Sequence, residues 1–294
     1  MSLEIFLPFY GSVPLLKEAV LSVVAQTDKN WTLTVLDDCY PSEEPAAWVA
    51  KIGDPRIKFI RNPENMGITG NFNQCIKLAT QSHMVIMGGD DLMLPSFVES
   101  ANRNALLHPE AAFIQTGVSV IDHAGANYMP LSDRIKALMR PTSNTPLLLE
   151  SQKALESLLL GNWLYFPSII WNTQILKLYL FDSSYSIVQD LKLITEILLG
   201  GGKLLIVPET TFKYRRHSES LSSKGGGNAK RYIEEASFFN EIAPRLRLTG
   251  HGKAARRARV HLLSRLAALA DLVAGVTRGL RTDKKSLLRH IFLS

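Results

Sequence analysis

Two cysteines, Cys39 and Cys75, are all that the 294 residues contain. Two thiols are too few for a disulfide framework or a four-thiolate zinc site. They read as small core residues of a chain in a reducing, cytoplasmic setting. Long apolar runs are also missing: none approaches the roughly 20 residues that span a bilayer. The first ten residues lack the basic start of a secretion leader and read as a strand. Internal repeats are absent too. What is present is 46% hydrophobic residues, enough for a sizeable core and against disorder.

The net charge of +6 is unevenly placed. From Arg245 to Ser294 there are 12 Lys and Arg against 2 Asp and Glu, so this tail carries +10 and the remainder −4. A basic tail points to an anionic partner such as phospholipid, nucleic acid or a phosphorylated carrier.

The first hundred residues alternate short apolar runs with helical periodicity, the βαβ pattern of a mainly parallel sheet. Strands are expected at 3–7, 31–36, 57–60 and 84–87, and helices at 13–26, 70–80 and 95–107. Further strands are expected at 112–115, 118–121, 168–171 and 204–207, and helices at 150–160 and 188–199. Residues 127–146 show no clear period and contain Pro130, Pro141 and Pro146, which predicts a mobile loop. Residues 222–228 read as a linker, and the chain beyond them as all-helical.

Distinctive polar residues follow directly on the strand ends. In open α/β sheets the ligand crevice lies outside the carboxyl ends of the strands, so these residues should converge on one edge. Asp90 and Asp91 follow a buried strand, where two adjacent carboxylates are costly unless a divalent cation neutralises them. The alternative is a helix cap beside a solvated acid; Gly88 and Gly89 favour a ligand, because they let it approach the backbone closely. Asp37 and Asp38 suit hydrogen bonds from a base or ribose, or a turn. Asp190 opens an apolar helix, either as a general base or as a carboxylate held by the helix N-terminus. Tyr214-Arg215-Arg216-His217 offers cations for a diphosphate or a metal ligand, or is a solvated basic turn.

The ordered set of segments resembles family-2 glycosyltransferases of the GT-A fold. It comprises Leu7-Pro8-Phe9-Tyr10, Ser22-Val23-Val24-Ala25-Gln26-Thr27, Val35-Leu36-Asp37-Asp38 and Asn65-Met66-Gly67 through Asn73. Gly89-Asp90-Asp91 with Pro95, Gln189-Asp190 and Tyr214-Arg215-Arg216-His217 through Ser222 complete it. The resemblance implies a Rossmann-like α/β fold over residues 1–222, with a mixed, mainly parallel sheet flanked by helices, and a basic helical region at 229–294. It further implies an inverting glycosyltransferase acting on a nucleotide-diphosphate sugar with Mn²⁺ or Mg²⁺, in cell-surface polysaccharide synthesis, with a glycan or lipid-linked acceptor.

By the same resemblance, Pro8, Tyr10 and Asp38 hold the nucleobase and Asp37 supports them. Asn65, Gly67 and Asn73 shape the nucleotide pocket. Asp90 contacts ribose and, with Asp91 and His217, the metal. Arg215 and Arg216 face the diphosphate, and Asp190 is the base. The chain departs from the family pattern at Gly88, where an acid is common, at Gln189, where Glu is common, and at Gly11, where Asn is common.

Trp163 and Tyr165 fall between the donor and base motifs and are candidates to stack on an acceptor sugar, or to fill the core. In the tail, Leu262, Leu266, Leu269, Val273, Val276 and Leu280 make one helical stripe bracketed by Arg and Lys. Its candidate partners are the main domain, a second copy of the chain in a homodimer, or an anionic leaflet on the inner face of the cell membrane. Nucleic acid is disfavoured, since the basic segment lacks interleaved aromatics. A nucleotidyltransferase would need a Gly-rich triphosphate loop that Phe9-Tyr10-Gly11-Ser12 does not supply. A catalytically silent sugar-nucleotide binder is the reading that Gly88 and Gln189 leave open.

Overall fold

The computed structural model describes residues 2–216, 229–277 and 283–292. Among them, nine strands form one mixed sheet flanked by helices. Four parallel strands begin it: β1 (Leu3–Phe9), β2 (Trp31–Asp37), β3 (Ile57–Arg61) and β4 (His83–Ile86), in the order β3-β2-β1-β4. The crossovers carry α1 (Val13–Val24), α2 (Glu44–Ile52) and α3 (Gly67–Leu78). Strand β1 alternates its faces as a buried strand must: Leu3, Ile5, Leu7 and Phe9 pack with Leu16, Val20 and Val23 of α1, while Phe6 turns to the opposite core.

The sheet then turns mixed. The two-residue β5 (Leu92–Met93) leads into α4 (Phe97–Leu107) and β6 (Phe113–Ile121). After α5 (Leu131–Met139), β7 (Leu147–Leu149) and α6 (Ser151–Leu158), β8 (Ile169–Asn172) inserts antiparallel between β4 and β6. The short α7 (Thr173–Leu176) and then α8 (Gln189–Leu199) lead to β9 (Leu204–Arg215), which runs parallel to β6. The separate strands expected at 112–115 and 118–121 are one strand, bulged at Gly117.

Residues 127–146 are not simply a loop: α5 lies inside them. Its apolar residues Leu131, Ile135 and Leu138 keep helical spacing but face outward, and its buried anchor is an acid, Asp133. A search for an apolar inner face therefore passes over it.

The chain continues as α9 (Ala229–Leu248), α10 (Gly252–Val260), α11 (Leu262–Thr277) and α12 (Lys284–Phe292). Phe238, Ile242 and Leu246 of α9 and Ala254 and Ala258 of α10 share a core with Ile194 and Leu198 of α8. Glu234 of α9 accepts the backbone N–H groups of Ser186 and Ile187 at 3.0 and 2.7 Å, fixing the turn that precedes α8. The main domain leaves four residues of the tail stripe exposed. Leu262, Leu266, Leu269 and Val273 are 43–54% exposed. Val276's side chain and Leu280 lie outside the described residues, as do the 222–228 segment, Arg278 and Arg281.

The bulge at Gly117 gives a test of the sheet. A Cβ there would lie 2.9 Å from Glu209 O and from Thr210 Cα, both backbone atoms. Gly117→Ala should cost about 1–3 kcal/mol through overpacking. Urea unfolding would show this as an earlier midpoint, and an unchanged midpoint would refute the close approach.

Candidate active site

The acid loop begins where β4 ends. Asp91 is 1% exposed, and its Oδ1 accepts the backbone N–H of Arg215 at 2.8 Å. Its Oδ2 is buried without a hydrogen-bond partner. Burial and the neighbouring Asp90 push its pKa well above the usual carboxylate range, against the pull of the Arg215 amide and the Arg215 and Arg216 cations. Gly88 leaves room for both carboxylates to pack against its backbone. A Cβ at this position would sit 2.4 Å from Asp91 Oδ2 and 3.0 Å from Asp90 Oδ1. The departure from the family pattern at residue 88 is therefore what lets the two carboxylates close over the same point.

The guanidinium of Arg215 is 2% exposed. It donates to Asp90 O at 2.7 Å, to His123 O at 3.0 Å and to Glu18 Oε2 at 2.6 Å. Glu18, Ser22 and Gln26 recur every fourth residue along α1 and its C-terminal end, so they share one face. Ser22 Oγ accepts the N–H of Met93 at 3.1 Å. Gln26 donates to Leu94 O at 2.8 Å and accepts Val98 N–H at 3.0 Å. One polar stripe thus clamps both sides of the acid loop.

The edge expected for the nucleotide is assembled as the topology requires. Phe9 pairs with Asp37 across β1 and β2, and Pro8 with Leu36. Asp37 accepts Tyr40 N–H at 2.9 Å and faces Arg61 at 3.4 Å; burial raises its pKa. Asp38 Oδ1 accepts from Asn62 Nδ2 at 2.9 Å and from Met66 N at 2.8 Å, which ties the β2 end to the start of α3. Asn65 Oδ1 takes the N–H of Gly67, the first residue of α3, at 2.9 Å. Tyr10 is 58% exposed, its ring edge-on to Tyr40 at 5.9 Å, and is open to a ligand. Asn73 is set apart: its amide pairs with Phe181 N and O at 2.8 and 3.0 Å, so it pins a loop to α3.

Across the site, Asp190 is the second residue of α8. Its Oδ1 accepts Leu191 N–H at 2.7 Å, and Oδ2 lies 3.5 Å from Asn162 Nδ2. Burial raises its pKa, opposed by that amide and by the Lys136 cation. Gln189 Oε1 accepts the Thr69 hydroxyl at 2.8 Å, joining α8 to α3. Lys136 donates to Leu164 O at 3.0 Å and lies 4.6 Å from the ring centre of Tyr165. Tyr165 donates its hydroxyl to Asp133 at 2.8 Å, and Arg216 grips the same carboxylate through two bonds of 3.1 and 3.0 Å.

Trp163 is not an open platform. It is 1% exposed and its indole N–H donates to Ser157 Oγ at 3.0 Å, so it belongs to the core. His217 lies outside the described residues, among which no group of three or more His, Cys, Asp or Glu side chains suits a metal. Two carboxylates, Asp90 and Asp91, the second with an orphaned buried oxygen, have the chemistry that Mg²⁺ or Mn²⁺ takes, one or two carboxylates with the shell completed by phosphate oxygens. Site residues not anticipated from the sequence are Glu18, Asp133 and Lys136. The first was visible as the start of the Glu18-Ser22-Gln26 spacing; the other two sit in the segment read as a loop.

Residues 4–158 match the family model for glycosyl transferase family 2. The succinoglycan biosynthesis protein ExoO of Rhizobium meliloti is 27% identical over 217 residues, covering 72% of this chain and 60% of its own length. Relatives from Escherichia coli and Bacillus subtilis are matched over 34% and 45% of theirs. Among solved structures, S. aureus TarS in complex with UDP superposes with a TM-score of 0.69 at 14% identity, covering 99% of this chain and 81% of that one. The mannosyltransferase PcManGT from Pyrobaculum calidifontis, in complex with GDP-Man and Mn²⁺, gives 0.65 at 16%, covering 97% and 78%. These likenesses establish the GT-A fold.

The buried acid makes a pH prediction. With its pKa raised, Asp91 binds its proton more tightly in the folded chain than in the unfolded one. The stability this adds is complete below the ordinary carboxylate pKa and is lost as pH rises through the raised value. In chelator, Asp91→Asn should therefore melt higher than wild type near neutral pH, the gap closing toward pH about 4. Melting curves of the two proteins that stay equally separated at every pH would overturn this.

Proposed function

The chain belongs to glycosyl transferase family 2, and from that premise we propose that it is an inverting glycosyltransferase. It moves a sugar from a nucleotide-diphosphate donor to a hydroxyl of a glycan or lipid-linked acceptor in surface polysaccharide synthesis. The observation that carries this reading is a pair of buried acids with raised pKa values: Asp91, after β4, with an orphaned oxygen, and Asp190, at the start of α8, linked by Arg216, which acts on Asp91 and on Lys136, and by Lys136, which acts on Asp190. The polysaccharide product named for ExoO, and the nucleotides named for TarS and PcManGT, support it.

In this reading Pro8, Tyr10, Asp37, Asp38, Asn65 and Gly67 hold the nucleoside, and Asp90 its ribose. Asp90 and Asp91 would hold Mn²⁺ or Mg²⁺, which when bound offsets charge on the leaving diphosphate. Arg216 adds positive charge nearby, while Arg215 and Asn73 brace the walls. Asp190 takes the proton of the acceptor hydroxyl. The freed oxygen forms its bond to the anomeric carbon as the bond to the diphosphate oxygen breaks, and the electron pair departs with the diphosphate. The Lys136 cation keeps Asp190 charged enough to accept that proton despite its burial. Tyr165, with its hydroxyl on Asp133, lines the acceptor side. Residues 1–222 form the catalytic unit, and α9 and α10 complete its core.

Among the described residues no helix is long and apolar enough to cross a membrane. The exposed stripe of α11, beside the exposed Arg256 and Arg259 of α10, suits an anionic leaflet on which a lipid-linked acceptor sits.

Two experiments test this. A melting panel with UDP, GDP, CDP and dTDP, each with Mn²⁺ or Mg²⁺, should show a rise for at least one pair. Asp190→Asn should keep that rise yet lose about 10²–10⁴-fold in transfer rate; no rise, or an undiminished rate, removes the assignment. Separately, Leu266→Glu with Leu269→Glu should abolish flotation with vesicles containing anionic lipid. Unchanged flotation, or a dimer that the two charges split, would refer the stripe away from membrane.

A further inference from the structure

Beside α5 lies a cavity of about 160 Å³. That is roughly five times the ~30 Å³ share of one water, so it has room for a chemical group. Gln115 and Thr116 of β6, Lys136 of α5, Arg140 at its end, and Tyr165 contribute to its wall. Its polar groups are unevenly satisfied. Thr116 is 1% exposed and its hydroxyl has no hydrogen-bond partner. Arg140 Nε is also buried without a partner, while its terminal nitrogen donates to Val207 O at 2.8 Å.

The charge balance points one way. Asp133 is the acid of the wall, and it is already held by Arg216 and Tyr165. Among the described residues no carboxylate lies within ion-pair distance, 4.0 Å, of Arg140 or Lys136. A half-buried guanidinium with an idle N–H and no counter-charge is costly unless an anion meets it. Lys136 and Arg140 stand four residues apart, one turn along the same face. One short segment joins this wall to Asp190: Lys136 donates to Leu164 O at 3.0 Å, Leu164 N–H donates to Asn162 Oδ1 at 3.2 Å, and Asn162 Nδ2 lies 3.5 Å from Asp190 Oδ2. Burial and Arg216 push the Lys136 pKa down to about 8, a shift that a bound anion would reverse.

We infer that this cavity is an acceptor subsite for an anionic sugar substituent, a carboxylate or phosphate, bound by Arg140 Nε and the Thr116 hydroxyl with Lys136 as the second cation. This rests on the glycosyltransferase reading for the word acceptor; the anion site itself does not. The acceptor would then be an acidic glycan or one that carries phosphate close to the attacked hydroxyl, and a neutral sugar would leave Arg140 uncompensated.

The test is calorimetric titration of the full chain with sodium glucuronate, inorganic phosphate and glucose, alongside UDP with Mn²⁺. At least one anion should bind and glucose should not. Arg140→Gln should weaken the anion at least tenfold and Thr116→Val several-fold, with UDP binding unchanged in both. Glucuronate alone binding assigns a sugar carboxylate, and phosphate alone a phosphorylated acceptor; either supports the subsite. Failure of both anions on wild type, or equal anion binding by wild type and the two variants, overturns it. Should Arg140→Gln misfold, Thr116→Val, which exchanges a hydroxyl for a methyl of similar size, decides by the same readout. Anion binding by a chain that binds none of UDP, GDP, CDP and dTDP with either metal would retire the glycosyltransferase reading and leave the anion site standing.

Discussion

The buried guanidinium of Arg215 organises the site. Its backbone N–H holds Asp91, its Nε holds the Asp90 carbonyl, and its remaining nitrogens reach the 122–123 turn and Glu18 of α1. Residues separated by more than a hundred positions meet through one side chain that cannot lose its charge. The acid loop holds two carboxylates side by side with this cation close by and with the missing side chain of Gly88 leaving them room. Without the cation, the burial and the Asp90 repulsion that raise the Asp91 pKa would be opposed by the Arg215 backbone N–H and the Arg216 cation.

A second framework holds Asp190, the proposed base. Asp190 is placed by the first turn of α8, and that turn is tied from two directions. Gln189 reaches Thr69 at the start of α3, and Glu234 of α9 collects the amides leading into the helix. The Glu that is common before the base elsewhere in the family would face the Thr69 hydroxyl equally well as an acceptor. Gln keeps that bond without adding a charge next to Asp190.

Much of the fold was legible because period and strand-end chemistry agree. The β1–β4 alternation, the helices between them and the cluster of polar strand ends follow from patterning alone, as does the position of Asp190. What was not legible depended on distant partners. Helix α5 has a buried acid where a helix search expects an apolar residue, and its partners Tyr165 and Arg216, 32 and 83 positions away, explain it. Arg215 and Arg216 are adjacent and look alike in sequence, yet one is a buried brace and the other grips Asp133 beside Tyr165. Trp163 and Tyr165 likewise divide between core and site, because the indole N–H finds Ser157 within its own segment. Asn73 pairs with a backbone loop that no local pattern announces.

The bond from Glu234 to the turn before α8 also bears on how this architecture can be recombined. A helical tail that merely followed a catalytic unit would be a module, free to be exchanged between relatives to alter where the enzyme works. Here the tail's first helix supplies an acceptor for the turn that aims the base, and its apolar face fills the space behind that turn. A graft of a foreign tail would therefore carry a new setting of Asp190 with it. Chimeras joined beyond α10 keep that setting, whereas chimeras joined ahead of α9 replace it.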